Sequence, residues 1–283
     1  MPPRPTPTAR RLRIGTELRR LRERAGMTAA EAARSLGTTQ AQISNIEANR
    51  FGISAERVHT LAHIYGCTDR PLVDALAAMA ADRTRGWWEE YRDNLPSRLL
   101  DLAELEHHAE ALRVTQVINI PGLLQTPEHA RALFREAVPA LRPHEIEYRI
   151  SHRIKRQAIL NREQPPSYTA IVHEAALRMQ FGGREVARTQ LQHLAEISGH
   201  PAVTLRVIPF DGTSFPTTGH AVDYFHGPVP VLDTVEVDTA HGNELVHAPG
   251  QLEKYRLVLD RMESVALEPT PSLDLVHRIA QDI

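Results

Sequence analysis

The stretch "MTAAEAARSLGTTQAQISNIEANR", residues 27–50, decides the fold of the N-terminal part of the chain. Thr28 stands three residues before Glu31, which is the spacing of a capping box at the start of a helix. Gly37 is expected to end that helix, and Thr39 then opens a second one. A helix, a turn containing glycine and a second helix, with a capping residue at each start, form the sequence pattern of a helix-turn-helix.

The second helix of this motif has an outer face that is unusual for a solvated helix. At about 100° per residue, Ile43 and Ile46 share one face. Small and amide-bearing residues lie on the opposite side: Gln40, Ala41, Ser44 and Asn45. A solvated helix favours Lys, Glu and Arg at such positions, because they are good helix formers. Amides can instead bond bidentately to adenine in the major groove. The face therefore predicts contact with bases.

Three further helical segments surround the motif. Apolar spacing and capping residues predict helices near residues 14–25, 55–65 and 71–81. The sequence thus predicts an all-α five-helix DNA-binding domain over residues 12–82. A Pro- and Arg-rich arm, residues 1–11, precedes it and is expected to be disordered.

Several residues around the motif are suited to phosphate contacts. Thr28 and Thr39 stand at helix N-termini, where hydroxyl and backbone N–H groups can meet phosphate oxygens. Arg50 follows the recognition helix and is expected to add a phosphate contact. The arginines at the start of the chain are further candidates: Arg4, Arg10, Arg11 and Arg13.

The charge distribution agrees with a polyanionic partner. The 283 residues carry a net charge of −2, but residues 1–80 hold 12 Arg, no Lys and 7 acidic residues. The remaining residues hold 21 basic and 28 acidic side chains, so a basic head precedes an acidic body. Cys67 is the single cysteine, which excludes an internal disulfide. With no signal-like N-terminus and no apolar run of roughly 18 residues, we expect a cytoplasmic protein without membrane contact.

Two segments, "LRRLRERAGMTAAEAARSLGTTQAQISNIEANR" and "ISAERVHTLAHIYG", resemble the Xre/phage-repressor family of DNA-binding domains. The resemblance implies base contact by the recognition-helix residues named above, and pairing of Arg22 in the first helix with Glu47. The family usually has Gly two residues after this glutamate, whereas this chain has Asn49. Asn adopts the left-handed conformation more readily than most residues, so we expect the turn to be preserved.

The larger C-terminal part, residues 83–283, mixes helical and strand-like patterns irregularly, which favours an α+β domain. The expected strands are "RVTQVINI", "YTAIVH", "VTLRVIPF", "HAVDYF" and "VLDTVEV". The bridge to this part holds the only tryptophans, Trp87 and Trp88, which are expected to anchor the second domain rather than bind a ligand.

No strong catalytic or metal-binding signature appears in this part. "HEAAL", which begins at His173, has Leu where a zincin needs its second histidine. We therefore expect no catalytic residue, no metal and no cofactor. One charged stripe remains, in "RISHRIKRQAIL": Arg149, His152, Arg153 and Arg156 share a helical face. It is a candidate site for an anionic ligand or acidic partner. The alternative, which the pattern favours, is a solvated face that bridges to acids such as Glu145 and Glu174.

The segments "NIPGLLQTPEHARALF", "RISHRIKRQAIL", "VHEAALRMQFGG", "VTLRVIPF" and "YRLVLDRMESVAL" resemble an actinobacterial domain of unknown function that follows Xre-type heads. Sporulation regulators of the WhiJ type share this two-part layout. The resemblance implies a transcriptional regulator whose C-terminal domain senses a small-molecule effector or binds a small partner protein encoded nearby.

Three hypotheses follow for the whole chain. The first is a repressor-like regulator that binds a double-stranded DNA operator as a homodimer, because one head reads only a half-site. The second makes the C-terminal domain a toxin-like enzyme that is autoregulated by its DNA-binding head. A convergent set of perturbed acid, base or nucleophile groups in one pocket would favour it. The third treats the C-terminal domain as an interaction scaffold.

Overall fold

The computed structural model describes residues 8–212, 214–216, 219–239 and 242–283. Residues 1–7 of the predicted arm, with Arg4, lie outside the described residues. The N-terminal part is helical: α1 (Ala9–Arg24), α2 (Ala29–Leu36), α3 (Gln40–Glu47), α4 (Ala55–Ile64) and α5 (Arg70–Ala81).

The first helix starts earlier than the sequence predicts. The pattern indicates a start near residue 14 and disorder through Arg11, but α1 begins at Ala9. The backbone N–H of Ala9 donates to Oδ1 of Asp101, 2.9 Å away, and Asp101 belongs to the C-terminal part. This acceptor satisfies one of the free N–H groups at the helix start. Because it is distant in sequence, local pattern could not reveal the extension.

The remaining elements form the C-terminal part. Its helices are α6 (Ser97–His108), α7 (Pro127–Arg135), α8 (Pro143–Gln157), α9 (Glu174–Arg178), α10 (Arg184–Ile197), α11 (Pro249–Val265) and α12 (Pro269–Asp282). Its strands are β1 (Ala111–Gln116), β2 (Ser167–His173), β3 (Val203–Ile208), β4 (Val222–His226), β5 (Thr234–Thr239) and β6 (Gly242–Val246). Short 3₁₀ helices lie at Trp87–Tyr91, Gly122–Leu124, Ala158–Asn161 and Pro230–Leu232.

Among the described residues, six strands form one mixed sheet in the order β3-β2-β1-β4-β5-β6. β1, β2 and β3 are parallel, since helices connect each of them to the next. β4, β5 and β6 are antiparallel and follow one another through short connections. The sequence therefore predicted the α+β class correctly, but it missed β6, "GNELV". This edge strand carries polar residues and lacks the apolar alternation by which the others are recognised.

Each face of the sheet is covered by different helices. Leu112, Ala170 and Leu205 point to one side, where α10 and α12 complete the largest apolar core. On the other side α11 packs through Leu252 and Leu259 against the apolar residues of β4 and β5. Burial of these side chains, each worth about 1.5–3 kcal/mol, makes the C-terminal part a domain with its own core.

An aromatic cluster fixes the start of the C-terminal part to its helices. Trp88 is 3% exposed and packs with Tyr91 and Leu100 in one apolar cluster. The hydroxyl of Tyr91 lies 2.7 Å from that of Ser151 in α8. The expectation that the tryptophans anchor the second domain is thus confirmed for Trp88, which is buried against α6.

The N-terminal domain docks on the C-terminal domain through α1. Arg13 is 6% exposed and donates from Nη2 to the carbonyl oxygen of Val231 at 2.6 Å. Arg20 donates to the carbonyl oxygen of His247 at 3.1 Å. Leu232 completes the apolar core of the N-terminal domain, with Ile14, Leu18 and others. The contact therefore occupies one side of α1.

None of the described helices is both long enough and apolar enough to span a bilayer.

Candidate functional site

The outer face of α3 is open to solvent. Gln40, Ala41 and Ser44 are exposed and Asn45 is half-buried. Ile43 and Ile46, at 1% and 6% exposure, hold the inner face in the core of the domain. The C-terminal domain contacts α1 and leaves this face uncovered. The side-chain amides of Gln40 and Asn45 make no hydrogen bond within the described part of the chain, so their donors and acceptors are available to an external partner.

The two predicted caps start the helices of the motif. Oγ1 of Thr28 accepts from the backbone N–H of Glu31 at 3.2 Å, and Oε2 of Glu31 accepts from the N–H of Thr28 at 2.7 Å. The hydroxyl of Thr28 also donates to Oε2 of Glu31 at 2.7 Å, and this hydrogen bond, followed by that from the Thr28 N–H, lowers the pKa of Glu31. Thr39 accepts from the N–H of Gln42 at 3.3 Å, but the Gln42 side chain bonds to the hydroxyl of Thr38. Thr28 and Thr39 are both exposed, which suits phosphate contact.

An ion pair and a close backbone approach position α3 against α1. Arg22 donates from Nε and Nη2 to the two carboxylate oxygens of Glu47, at 2.6 and 2.9 Å. Gly15 lies where a Cβ atom would stand 2.3 Å from the carbonyl oxygen of Glu47, so only glycine fits there. Bidentate pairing fixes orientation as well as distance. The two contacts therefore fix the orientation of α3 relative to α1.

The turn after α3 has the predicted left-handed residue. Asn49 has a φ of 51°, the one positive value among the described non-glycine residues. The N–H of Asn49 donates to Ile46 and that of Arg50 to Asn45, at 2.9 and 2.8 Å, which closes the helix end. The expectation that Asn49 preserves this turn is confirmed. Arg50 is exposed directly beyond it.

The arginines near the start of the chain do not act alike. Arg13 is buried against the C-terminal domain, and Arg10 pairs with Asp82 at 3.3 Å. Neither is therefore free for the phosphate contact that the sequence suggests. Arg11 is exposed and borders a cleft with Arg50 and Arg85 beside the end of α3. Four arginines and three acidic residues line this cleft, so it gives the exposed α3 surface a weakly cationic margin, which is the sign that duplex binding requires.

The predicted charged stripe on α8 separates into different environments. Arg156 is 5% exposed and donates to both carboxylate oxygens of Glu106, at 2.7 and 2.5 Å. His152 packs against the rings of Trp87 and Tyr91, and burial lowers its pKa to about 3. Arg149 and Arg153 lie 6.0 and 4.7 Å from the ring of Phe134. A solvated face that bridges to Glu145 and Glu174 is therefore the wrong interpretation for Arg156, whose partner is Glu106.

A cavity of about 370 Å³ opens between α8 and the sheet face opposite α11; we call it the α8 cavity. Arg153 and Arg156 lie on its α8 side, and Asp223 and Glu236 on its sheet side. Apolar and amide residues complete its wall, among them Leu102, Ile120, Phe134, Phe181, Gln116, Gln125 and Asn243. Its size is at the lower end of the range for sites that bind small molecules.

Two carboxyl groups of this cavity have strongly raised pKa values. Asp223 of β4 and Glu236 of β5 are directly paired in the strand register, so their side chains lie side by side. Burial and then the neighbouring negative charge of Glu106 raise the pKa of Asp223 to about 7. Burial and then the charge of Asp223 raise the pKa of Glu236 to about 8. Both groups therefore hold protons close to neutral pH.

Sequence reasoning missed these two acids and Glu106. "HAVDYF" and "VLDTVEV" place one acid each among apolar strand residues, at a position that points toward a sheet face. An acid at a core-facing position is a signal that could have identified them, because buried carboxylates are rare without a partner. The partner strand and the register that bring them together are not visible in the sequence.

A second cavity, of about 270 Å³, lies between α1 and the sheet, where β4 ends and β5 begins. Leu12 and Thr16 of α1 line it with Leu105 of α6 and Phe225 of β4. Its wall is mainly apolar, and it touches both domains.

Two family models match the chain. Residues 13–76 match one described as a helix-turn-helix domain, which indicates a DNA-binding regulator. Residues 99–278 match one described as a domain of unknown function (DUF5753). No curated protein and no solved structure matches. The chain therefore belongs to the DUF5753 family, with a helix-turn-helix domain preceding the family domain.

Proposed function

We propose that this protein is a sequence-specific transcriptional regulator of the Xre type, similar in layout to the WhiJ-like regulators. It binds a double-stranded DNA operator in the cytoplasm, and its C-terminal domain responds to a small-molecule effector. The observation that carries the proposal is the outer face of α3. It holds side-chain amides without a partner within the described residues, on a helix that the docked C-terminal domain leaves open.

The geometry of the motif supports base reading by Gln40 and Asn45. Ala41 and Ser44 are small, so the helix can approach base edges closely. Thr28, Thr39 and Arg50 surround this face and are assigned to phosphate oxygens, which set the register of the helix in the groove. A single motif reads only a few base pairs, so we assign the protein to a homodimer on a palindromic operator.

One helix connects the C-terminal cavity with the DNA-binding domain. Glu106, near the C-terminal end of α6, binds Arg156 of the α8 cavity. Asp101, five residues earlier on α6, accepts from the first N–H of α1. A ligand that shifts Arg156 would therefore act on α6, and through it on α1, which holds α3 through the Arg22–Glu47 pair and the close approach at Gly15. This connection supports effector sensing over a purely structural scaffold.

The experiment that tests base reading is selection of bound duplexes from a random pool, followed by gel-shift measurement. The full chain is expected to enrich a palindromic motif. The double variant Gln40→Ala/Asn45→Ala should lose discrimination between this motif and a scrambled duplex by about 1–3 kcal/mol per lost bidentate contact. Unchanged preference in the double variant would show that other residues read the operator.

A matched control comes from the C-terminal domain. Asn161 and Gln192 are exposed amides there, and Asn161→Ala/Gln192→Ala removes the same chemical groups. This control is expected to bind the selected motif as the unmodified chain does. An equal loss of preference in the control would mean that the effect is not specific to α3.

One observation favours the second candidate, an enzymatic C-terminal domain. Asp223 and Glu236 are acids with raised pKa values in a single cavity, which is a pattern found at catalytic sites. We retain a binding role because Arg156, in the wall of the same cavity, is linked through Glu106 to α6 and so to the DNA-binding domain. Turnover of a bound small molecule by the full chain, lost in Asp223→Asn, would favour the enzyme.

A further inference from the structure

The α8 cavity contains ionisable groups whose hydrogen bonds the protein itself does not complete. Glu236 is 5% exposed, lines the cavity and forms no hydrogen bond or ion pair within the described residues. Oδ1 of Asp223 is buried without a hydrogen-bond partner, as is Nε of Arg153. Leaving such groups unpaired costs stability. Groups of this kind persist where water, an ion or a ligand completes them.

The charge of the ligand that would complete these groups follows from the side chains around the cavity. Arg156 already has a bidentate partner in Glu106, at 2.7 and 2.5 Å. Arg153 donates to Oε1 of Gln125 and lies over the ring of Phe134. Asp223 and Glu236 thus lack a cation of their own, and Asp238 and Glu136 add further acidic side chains to the wall. The cavity wall holds more carboxyl groups than guanidinium groups, and a cation that displaces the protons of Asp223 and Glu236 would pair with them, so the expected partner is positively charged.

The chemical type of that cation follows from the rest of the wall. No three carboxylate, imidazole or thiol groups within the described ranges converge closely enough to enclose a metal ion. Two phenylalanine rings, Phe134 and Phe181, line the cavity together with Leu102 and Ile120. Such a wall accommodates an apolar body, and aromatic faces also attract organic cations.

We propose that the α8 cavity binds a small organic cation, a primary amine or guanidine with an apolar body, whose charged end contacts Asp223 and Glu236. This deepens the proposed function and rests on it, since it names the class of effector to which the C-terminal domain responds. The Nε of Arg153 is placed to donate to a hydroxyl or carbonyl oxygen on the same ligand.

Proton release distinguishes this site from general apolar binding. A cation at Asp223 and Glu236 favours their ionised forms, so binding expels protons held below about pH 7 and pH 8. The other charged or titratable groups that face this pair are Glu106 from α6, Arg153 and Arg156 from α8, Asp238 from β5 and Tyr168 from β2. Apparent affinity for an amine should rise by roughly tenfold per pH unit for each proton released, and then level off above about pH 8.

The test is isothermal titration calorimetry on the full chain without DNA, at pH 6, 7 and 8 and in two buffers of different ionisation enthalpy. The probes are phenethylamine, cyclohexylmethylamine and benzylguanidine, each with the neutral alcohol and the carboxylate of the same skeleton. We expect saturable binding of at least one cation with proton release, and binding about tenfold or more weaker for its neutral and anionic counterparts. Preference for a carboxylate, or no binding by any cation at millimolar concentration, overturns the proposal.

Two variants locate the site. Glu236→Gln keeps the side-chain shape, removes the charge and should weaken cation binding about tenfold or more while abolishing part of the proton release. Leu12→Trp fills the separate apolar cavity beside α1 and should leave cation binding unchanged. Loss of binding in Leu12→Trp with retention in Glu236→Gln would place the ligand in the cavity beside α1 and overturn its assignment to the α8 cavity. Circular dichroism on both variants checks that they are folded.

A gel-shift assay separates this inference from the proposed function. Addition of a cation that binds by calorimetry is expected to change operator affinity of the unmodified chain but not of Glu236→Gln. Cation binding without any change in operator affinity would leave the site intact and overturn its role as an effector site. Loss of operator preference in Gln40→Ala/Asn45→Ala is measured without ligand, so the regulator is tested independently.

Discussion

The outer face of α3 and the α8 cavity both present polar groups without partners, but the physical meaning differs. The amides of Gln40 and Asn45 lie at the surface, where water satisfies them at almost no cost. Glu236 and Asp223 are enclosed, and their unmet hydrogen bonds lower the stability of the fold. The exposed face therefore indicates function through its residue types. The buried groups indicate function because they remain in the fold although they lower its stability.

Glu106→Ala, at the α8 cavity, is expected to change the free energy of unfolding more than any other substitution considered. It leaves Arg156 buried without its carboxylate, at an ion pair whose side chains are both 4% exposed. Removing one partner of such a pair costs about 3–5 kcal/mol of unfolding free energy. Urea denaturation followed by circular dichroism measures it, with Glu163→Ala on an exposed loop as the control. A loss no greater than that of the control would mean that Arg156 finds another partner.

Glu236→Gln tests whether the cavity is under electrostatic strain. The pKa of Glu236 is raised by burial, so the folded state holds its proton up to about pH 8, whereas the unfolded chain releases it near pH 4.5. The stability that this proton contributes is fully present below pH 4.5 and is lost as pH rises to about 8, at roughly 1.4 kcal/mol per pH unit.

Thermal denaturation between pH 5 and pH 9 measures this effect. The variant should be close to the unmodified chain at pH 5 and more stable by a few kcal/mol at pH 9, because glutamine carries no proton to lose. If the stability of both chains depended on pH in the same way across this range, Glu236 would be solvated. The difference drawn between a buried cavity and an exposed α3 face would then be wrong.

Asn49→Val sharpens the account of how α3 ends. A β-branched residue at a φ of 51° costs about 1–2 kcal/mol, so the variant should unfold at lower temperature and bind the operator less tightly. Asn49→Gly is the matched control, because glycine adopts this conformation without strain, and it should be close to neutral. Equal stability of the two variants would show that backbone strain at this turn is unimportant.

Arg50→Ala is expected to have the smallest effect, and it concerns the α3 side alone. If Arg50 contacts a phosphate, its loss should weaken binding to every duplex about equally, and the slope of log K against log salt should fall by about 1. Gel-shift titrations at several salt concentrations, with operator and scrambled duplexes, measure this. A loss confined to the operator would instead make Arg50 a base-reading residue.

The sequence predicted best those features that depend on interactions between residues close together in the chain. The capping threonines, the ends of α2 and α3 and the left-handed turn at Asn49 depend on residues within a few positions of each other. Their mechanisms are hydrogen bonds between neighbouring groups, so sequence spacing alone reveals them. The strands of the central sheet followed similarly from apolar alternation, and β6 escaped because Val246 is its one buried residue and its other residues do not alternate.

The cavity could not be predicted in this way, because its members meet only through long-range packing. Arg156 lies 50 residues from Glu106, and the sequence suggested other acids as its partners. Asp223 and Glu236 become neighbours through the pairing of β4 with β5. The raised pKa values then depend on how much water the covering helix excludes. No pattern along the chain reports any of these quantities.

By itself, the sequence determined a helix-turn-helix head with a small, amide-bearing recognition helix and an α+β domain behind it, since capping and periodicity are properties of short segments. Only the tertiary structure decided that α1 docks on the second domain while α3 stays open, and that two strand carboxyls share one cavity with two arginines. These features arise from contacts between distant segments, which chain folding brings together and local propensity does not encode.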